Sequence, residues 1–168
     1  TVAPVYAVRG DDEIDTHYLP EKRIVEIDGI RIGIHHSHRP FREELLSRLK
    51  SLLGLHKGPT WGAVQEWLLR TFKNDDVQII VFGHFHRPYS EFHKGILLLN
   101  PGSIYKMSFD ALTYRINHTA SKTRRITARL ERRMLKSDRI IHPPTVALIQ
   151  IENQQFSTEV ISLPYVDY

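Results

Sequence analysis

The chain has 168 residues, of which 41% are hydrophobic, a net charge of +4 and no cysteine. This length and apolar content suit one globular domain, and the lack of cysteine excludes disulfide scaffolds and thiolate metal sites, so any metal must be held by His, Asp, Glu or Asn. No apolar stretch is long enough to span a bilayer, and the first residues lack the features of a signal peptide. We therefore expect a cytoplasmic protein that does not enter the membrane.

The first predicted strand, Val2–Val8, leads into an acidic turn that contains Gly10 and Asp11. Folds of the α/β class place ligand chemistry after the carboxyl ends of strands, but Asp is also common in ordinary turns. Asp11 is therefore either a ligand or a turn residue. Because the chain does not begin with Met and enters a strand almost at once, we expect an N-terminal part of the domain to be missing.

Two strands run into histidines. A hairpin with a type I′ turn is predicted at Asp28-Gly29, and its second strand, Ile30–Ile34, continues into His35-His36-Ser37-His38. The apolar run Val77–Phe82 continues into Gly83-His84-Phe85-His86. Taken alone, His84 and His86 could be a pair of surface or core-edge histidines, but His gains little from burial without a partner. Shared metal ligation accounts most simply for both groups.

Helical periodicity lies between these two strands. Apolar residues recur at helical spacing in 41–55, and Thr60 is a candidate cap for a second helix with a buried stripe from Trp61 to Phe72. A helical connection between strands predicts a crossover of the βαβ type and thus parallel strands whose carboxyl ends share one edge. If extended, His84 and His86 would point the same way, with Cα atoms about 6.6 Å apart.

The remaining strands are predicted at 95–99, 145–151 and 156–161, the last two forming a hairpin across Asn153-Gln154. The strand at 95–99 is followed by Asn100-Pro101-Gly102-Ser103. This turn is either a cradle for phosphate built from backbone N–H groups or an ordinary Pro-Gly turn.

A basic segment separates the last hairpin from the rest of the sheet. Residues 115–139 contain nine Lys and Arg against Glu131 and Asp138, and 120–136 has helical composition. Such a segment is either a solvated helix or mobile insertion, or a surface that binds nucleic acid or another anionic partner.

The order of these signals resembles the calcineurin-like metallophosphoesterase superfamily, and among its branches the small phosphodiesterases, whose corresponding motifs read GN, HGH, GHxH and NPGS. The resemblance covers the chain except for an apparent insertion at about 106–142. It implies a single domain, 1–168, with an α/β/β/α sandwich fold. The family's opening DxH and GDxxD motifs have no counterpart here.

The resemblance also implies a set of site residues at matching positions. One divalent metal would be ligated by Asp11, His36 and His84, and another by His86. His38, which matches the second histidine of HGH, would lie near the phosphate, and in the implied mechanism His38 and Arg87 would stabilise the developing charge. The expected ion is Mn²⁺, with Zn²⁺, Fe or Ni²⁺ also compatible with His and carboxylate ligands. Asp11 stands where the family has Asn, and Ser37 where it has Gly.

The function implied is hydrolysis of a phosphodiester or phosphomonoester by a metal-activated water, impaired in this chain because the opening motifs are absent. The alternative is a non-catalytic scaffold or binding protein, as in the retromer subunit that resembles this family.

Overall fold

The computed structural model describes residues 3–10, 18–37, 61–104, 113, 116–118, 125–126, 128–129, 132 and 143–164. The chain divides into two compact units, 1–102 with 147–160 and 103–146 with 161–168. None of the helices in the described ranges combines the length and apolarity needed to cross a membrane. The strands and the helix of known bounds are β1 Lys22–Ile27, β2 Ile30–His35, α1 Trp61–Thr71, β3 Ile79–Phe82, β4 Pro88–His93, β5 Ile96–Pro101, β6 Thr145–Glu152 and β7 Gln155–Ser162.

The first unit is built on a five-stranded sheet with the order β1-β2-β3-β5-β4. β2, β3 and β5 are parallel, while β1 and β4 pair antiparallel at the two edges. The predicted parallel crossover between β2 and β3 is confirmed. The carboxyl ends of the three parallel strands therefore meet at one edge of the sheet, as expected.

Each face of this sheet is covered by an apolar layer. On one face, α1 contributes Val64 and Leu68 to a core that also contains Phe72. On the other face, Ile149 and Ile151 of β6 pack against the sheet residues of a second cluster. A helix, a sheet and a second sheet thus form three successive layers, and the predicted α/β class is confirmed. The helix predicted at 41–55 and the cap at Thr60 lie outside the described residues.

Both predicted hairpins form with left-handed turn residues. Asp28 and Gly29 have φ values of 46° and 76°, and Asn153 and Gln154 have 52° and 60°, as a type I′ turn requires. The two turns meet, because the Gln154 N–H donates to Asp28 Oδ2 over 3.1 Å. This contact fixes the β6–β7 hairpin against the end of β1 and β2.

The prediction of a strand at 2–8 is wrong for 3–8, the part of that range that the structure describes. Residues 3–8 belong to no strand, and Val5 is 85% exposed. The segment is held instead by the Arg9 N–H, which donates to the Pro20 carbonyl over 2.9 Å, and by an ion pair between Arg9 and Glu21. Apolar alternation favours extended backbone, but a strand also needs a neighbouring ladder of hydrogen bonds.

In the second unit, backbone hydrogen bonds join Thr145 N–H to Ser103 O and Leu163 N–H to Pro144 O, each over 2.8 Å. The described residues between 113 and 132 are helical, and Ile116 and Ala128 among them are buried. The rest of the basic segment lies outside the described residues, so its binding to nucleic acid stays a prediction.

Gly33 allows the close packing of α1 on β2. A Cβ atom at Gly33 would lie 2.5 Å from Phe72 Cε1, whereas one at Gly62, on an exposed part of α1, would meet nothing within 4 Å. We expect Gly33→Ala to lower the free energy of unfolding by about 1–3 kcal/mol through overpacking. The matched control, Gly62→Ala, is expected to raise it by about 0.5–1 kcal/mol through helix propensity. Urea denaturation followed by tryptophan fluorescence measures both, and equal effects would contradict this account.

Tyr89 joins β4 to α1. Its ring stacks on Trp61 with centroids 4.6 Å apart, and its hydroxyl accepts a hydrogen bond from Gln65 and donates one to Glu91. Burial, followed by the hydrogen bond to Glu91, raises the pKa of Tyr89 above its usual value near 10.

Because folding favours the neutral phenol of Tyr89, its stabilising contribution is complete below pH 10 and is lost as the pH rises through the folded pKa. Phenolate absorbance is titrated against pH in the wild type and in Tyr89→Phe, and the difference between the two curves isolates Tyr89. We expect the midpoint of this difference to lie above pH 10. A midpoint at or below pH 10 would show that the folded environment does not protect the phenol.

Candidate functional site

The candidate site lies at the carboxyl edge of the three parallel strands. His36 and Ser37 follow β2, the loop 83–87 follows β3, and Asn100 ends the apolar run of β5. Because β4 runs antiparallel to β5, its first residue, Pro88, pairs with Pro101 at this same edge. The topology therefore brings the polar residues of three separate sequence segments to one place.

His36 and His84 contact each other. Their ring centroids are 5.4 Å apart, with an angle of 82° between the ring planes. Two imidazoles bound through nitrogen to one tetrahedral ion at about 2.0–2.1 Å would have centroids about 5 Å apart. The observed separation therefore fits two ligands of one metal.

The loop that carries His84 is not extended, so the condition under which His84 and His86 would point the same way is not met. β3 ends at Phe82, and His84 and His86 have φ values of 74° and 53°. The Phe85 N–H donates to the Gly83 carbonyl over 3.0 Å, which closes a γ-turn centred on His84. Each positive φ at a residue other than glycine costs on the order of 1 kcal/mol, so surrounding contacts must stabilise this turn.

Aromatic rings pack against one side of the turn. Phe85 lies edge-on to His84, with centroids 5.1 Å apart, and Trp61 at the start of α1 lies 5.5 Å from Phe85. Such edge-to-face pairs contribute about 0.5–1.5 kcal/mol each beyond the burial of their area. The helix thereby supports one side of the loop that carries the candidate ligand.

Polar contacts to one carbonyl support the turn from the other side. The Gly83 carbonyl, which already accepts the Phe85 N–H, also accepts a hydrogen bond from Asn100 Nδ2 over 3.2 Å and lies 3.5 Å from Ser37 Oγ. Asn100 and Ser37 are 0% and 1% exposed. Residues from the carboxyl ends of all three parallel strands thus meet at this carbonyl.

Sequence reasoning missed this role of Asn100. Its Oδ1 also accepts the Gly102 N–H over 2.9 Å, forming an Asx turn in which Gly102 has a φ of 86°. The Gly102 N–H is therefore occupied, which favours the interpretation of this segment as an ordinary turn over a phosphate cradle. The one available signal was an Asn at the end of a buried strand directly before Pro-Gly.

His35 is a structural residue. It is buried, its ring lies edge-on to Trp67 with centroids 4.8 Å apart, and its Nδ1 accepts the Ser37 N–H over 2.7 Å. Ser37 itself has a φ of 65°. The two adjacent histidines therefore have different roles. His35, the last residue of β2, faces the core, and His36 faces His84.

Of the other four predicted site residues, the structure describes two. His86 and Arg87 lie in the loop between β3 and β4, and Asp11 and His38 lie outside the described residues. Among the residues that the structure describes, no three His, Asp or Glu side chains form a group that could hold a metal. The roles of His86, Arg87, Asp11 and His38 therefore stay predictions.

Comparison with known proteins agrees with the motifs. A curated relative from Methanocaldococcus jannaschii, a probable metallophosphoesterase, is 33% identical over 102 residues, which are 61% of this chain and 42% of that protein. A probable metallophosphoesterase from Methanothermobacter thermautotrophicus is 29% identical over 106 residues, 61% of this chain and 49% of that protein. The chain thus spans less than half the length of these relatives.

Among solved structures, Vps29 from Chaetomium thermophilum aligns with 92% of this chain and 66% of its own, at 13% identity and a TM-score of 0.49. The family model of the calcineurin-like phosphoesterase superfamily domain matches residues 1–122, which include β1–β5 and every predicted ligand. The motifs at the carboxyl edge and this match agree: the chain belongs to the calcineurin-like phosphoesterase superfamily.

Proposed function

We propose that the protein is a metal-dependent phosphoesterase that hydrolyses a phosphodiester or phosphomonoester. The observation that carries this proposal is the convergence of His36 and His84, whose ring centroids are 5.4 Å apart at the carboxyl edge of the sheet. Membership of the phosphoesterase superfamily supports it. A pair of surface histidines would not need the strained turn that presents His84.

Two described donors fit a divalent cation. His36 and His84 would hold it, with Asp11 as the proposed third ligand, and Mn²⁺ is the expected ion, with Zn²⁺, Fe or Ni²⁺ compatible with the same donors. When bound, such an ion neutralises phosphoryl oxygens and lowers the pKa of a coordinated water.

The chain's own residues would bind and orient the substrate. Arg87 directly precedes Pro88, which pairs with Pro101 at the carboxyl edge, and its guanidinium can donate paired hydrogen bonds to phosphate oxygens. His86 and His38 are proposed to act at the same edge, His86 on a second metal and His38 on the developing charge. These donors would stabilise the charge that accumulates as the phosphoester bond breaks.

The test compares metal affinity and hydrolysis in the full chain. We expect the wild type to bind Mn²⁺ by titration calorimetry, and His36→Ala and His84→Ala each to weaken that binding at least about 100-fold, more than the loss of an outer-shell partner costs. The matched control is His93→Ala. His93 ends β4 beside Ile96 at the amino end of β5, away from the carboxyl edge, and lies beside Glu66. This variant should leave Mn²⁺ binding unchanged.

Hydrolysis of a bis-aryl phosphodiester with added Mn²⁺ gives the second measurement. Turnover that requires Mn²⁺ and falls in both ligand variants supports the enzyme. Wild-type protein that binds no Mn²⁺ and hydrolyses nothing would overturn the proposal in favour of the non-catalytic scaffold.

A further inference from the structure

We propose that Asn100 is a positioning residue that holds His84 in its ligating orientation; this inference rests on the proposed function. Asn100 does not face the metal in this account. It acts through the Gly83 carbonyl, to which its Nδ2 donates a hydrogen bond over 3.2 Å. The inference adds a residue of β5 to a site whose two described candidate ligands, His36 and His84, follow β2 and β3.

The geometry of the turn explains how this hydrogen bond reaches His84. The Gly83 carbonyl is the acceptor that closes the γ-turn through the Phe85 N–H, and His84 is the central residue of that turn, with a φ of 74°. A shift of the Gly83 carbonyl therefore rotates the backbone of His84. That rotation would move its ring relative to His36, which it now meets at 5.4 Å.

The side-chain amide suits this task because it both donates and accepts. Oδ1 accepts the Gly102 N–H over 2.9 Å, which fixes the Asn side chain against its own turn, and Nδ2 then points to the loop after β3. An Asx turn by itself needs only the acceptor. The donor to Gly83 is the additional contact, and full burial of Asn100 shields it from competing water.

A purely structural role is the competing explanation, since any buried polar residue that loses its partners destabilises the fold. The two roles differ in what happens to the folded fraction of a variant. A structural residue lowers the melting temperature but leaves the metal affinity of folded protein unchanged. A positioning residue lowers the affinity as well, since loss of an outer-shell partner weakens metal binding about 10- to 100-fold.

The experiment measures Mn²⁺ affinity by titration calorimetry, well below the melting temperature of each variant of the full chain. We expect Asn100→Ala to bind Mn²⁺ about 10- to 100-fold more weakly than the wild type. The matched control is Leu98→Ala, because Leu98 lies two residues earlier on the same face of β5 and is also 0% exposed. It should lower the melting temperature and leave the affinity unchanged.

An unchanged affinity in Asn100→Ala, or an equal loss in Leu98→Ala, would overturn the positioning role while leaving the metal site intact. If the wild type itself binds no Mn²⁺, the proposed function is what fails. Both outcomes are thus distinguishable from each other.

Hydrogen exchange of metal-free wild type tests the anchored turn on which the inference depends, should Asn100→Ala fail to fold. If the Gly83 carbonyl is anchored, the Phe85 and Gly102 amides exchange as slowly as the core amides of β3. Exchange at the rate of exposed loop amides would show that the turn is not held, and the inference would be wrong.

Discussion

The Gly83 carbonyl is the acceptor on which the candidate site depends. It closes the turn around His84 and is approached by Asn100 Nδ2 from β5 and by Ser37 Oγ after β2. A left-handed backbone at a histidine is unfavourable by itself and persists only where neighbouring groups determine it. The hydrogen bonds that converge here stabilise this conformation, which turns His84 towards His36.

Packing below the edge makes that convergence possible. Gly33 lets Phe72 approach β2 closely, which seats α1 on the face of the sheet. The start of α1 then places Trp61 against Phe85, and Phe85 lies edge-on to His84. The loop is thus held between aromatic rings on one side and polar donors on the other. Such pre-organisation is what a metal or phosphate site needs from its outer contacts.

Much of the fold was predictable because its signals are local. Asp28-Gly29 specifies a tight turn by its own backbone preferences, and the helical stripe after Trp61 between two strands leads to a parallel crossover. The segment 3–8 fails for the opposite reason, since its strand would have needed a ladder supplied by another part of the chain. The turn at His84 could not be predicted for a related reason, because it depends on a donor that is distant in sequence.

The sequence by itself determined which chemical groups are available near the site. It supplies histidines after two strands, an arginine beside them, a Pro-Gly turn after a third strand, and the motifs that mark the phosphoesterase superfamily. Those are properties of residue type and spacing. Only the tertiary structure decided that His35 faces the core while His36 meets His84, and that Asn100 serves the loop after β3. The physical reason is that strand pairing sets which segments become neighbours, and a hydrogen bond between residues 17 positions apart leaves no periodic trace in the chain.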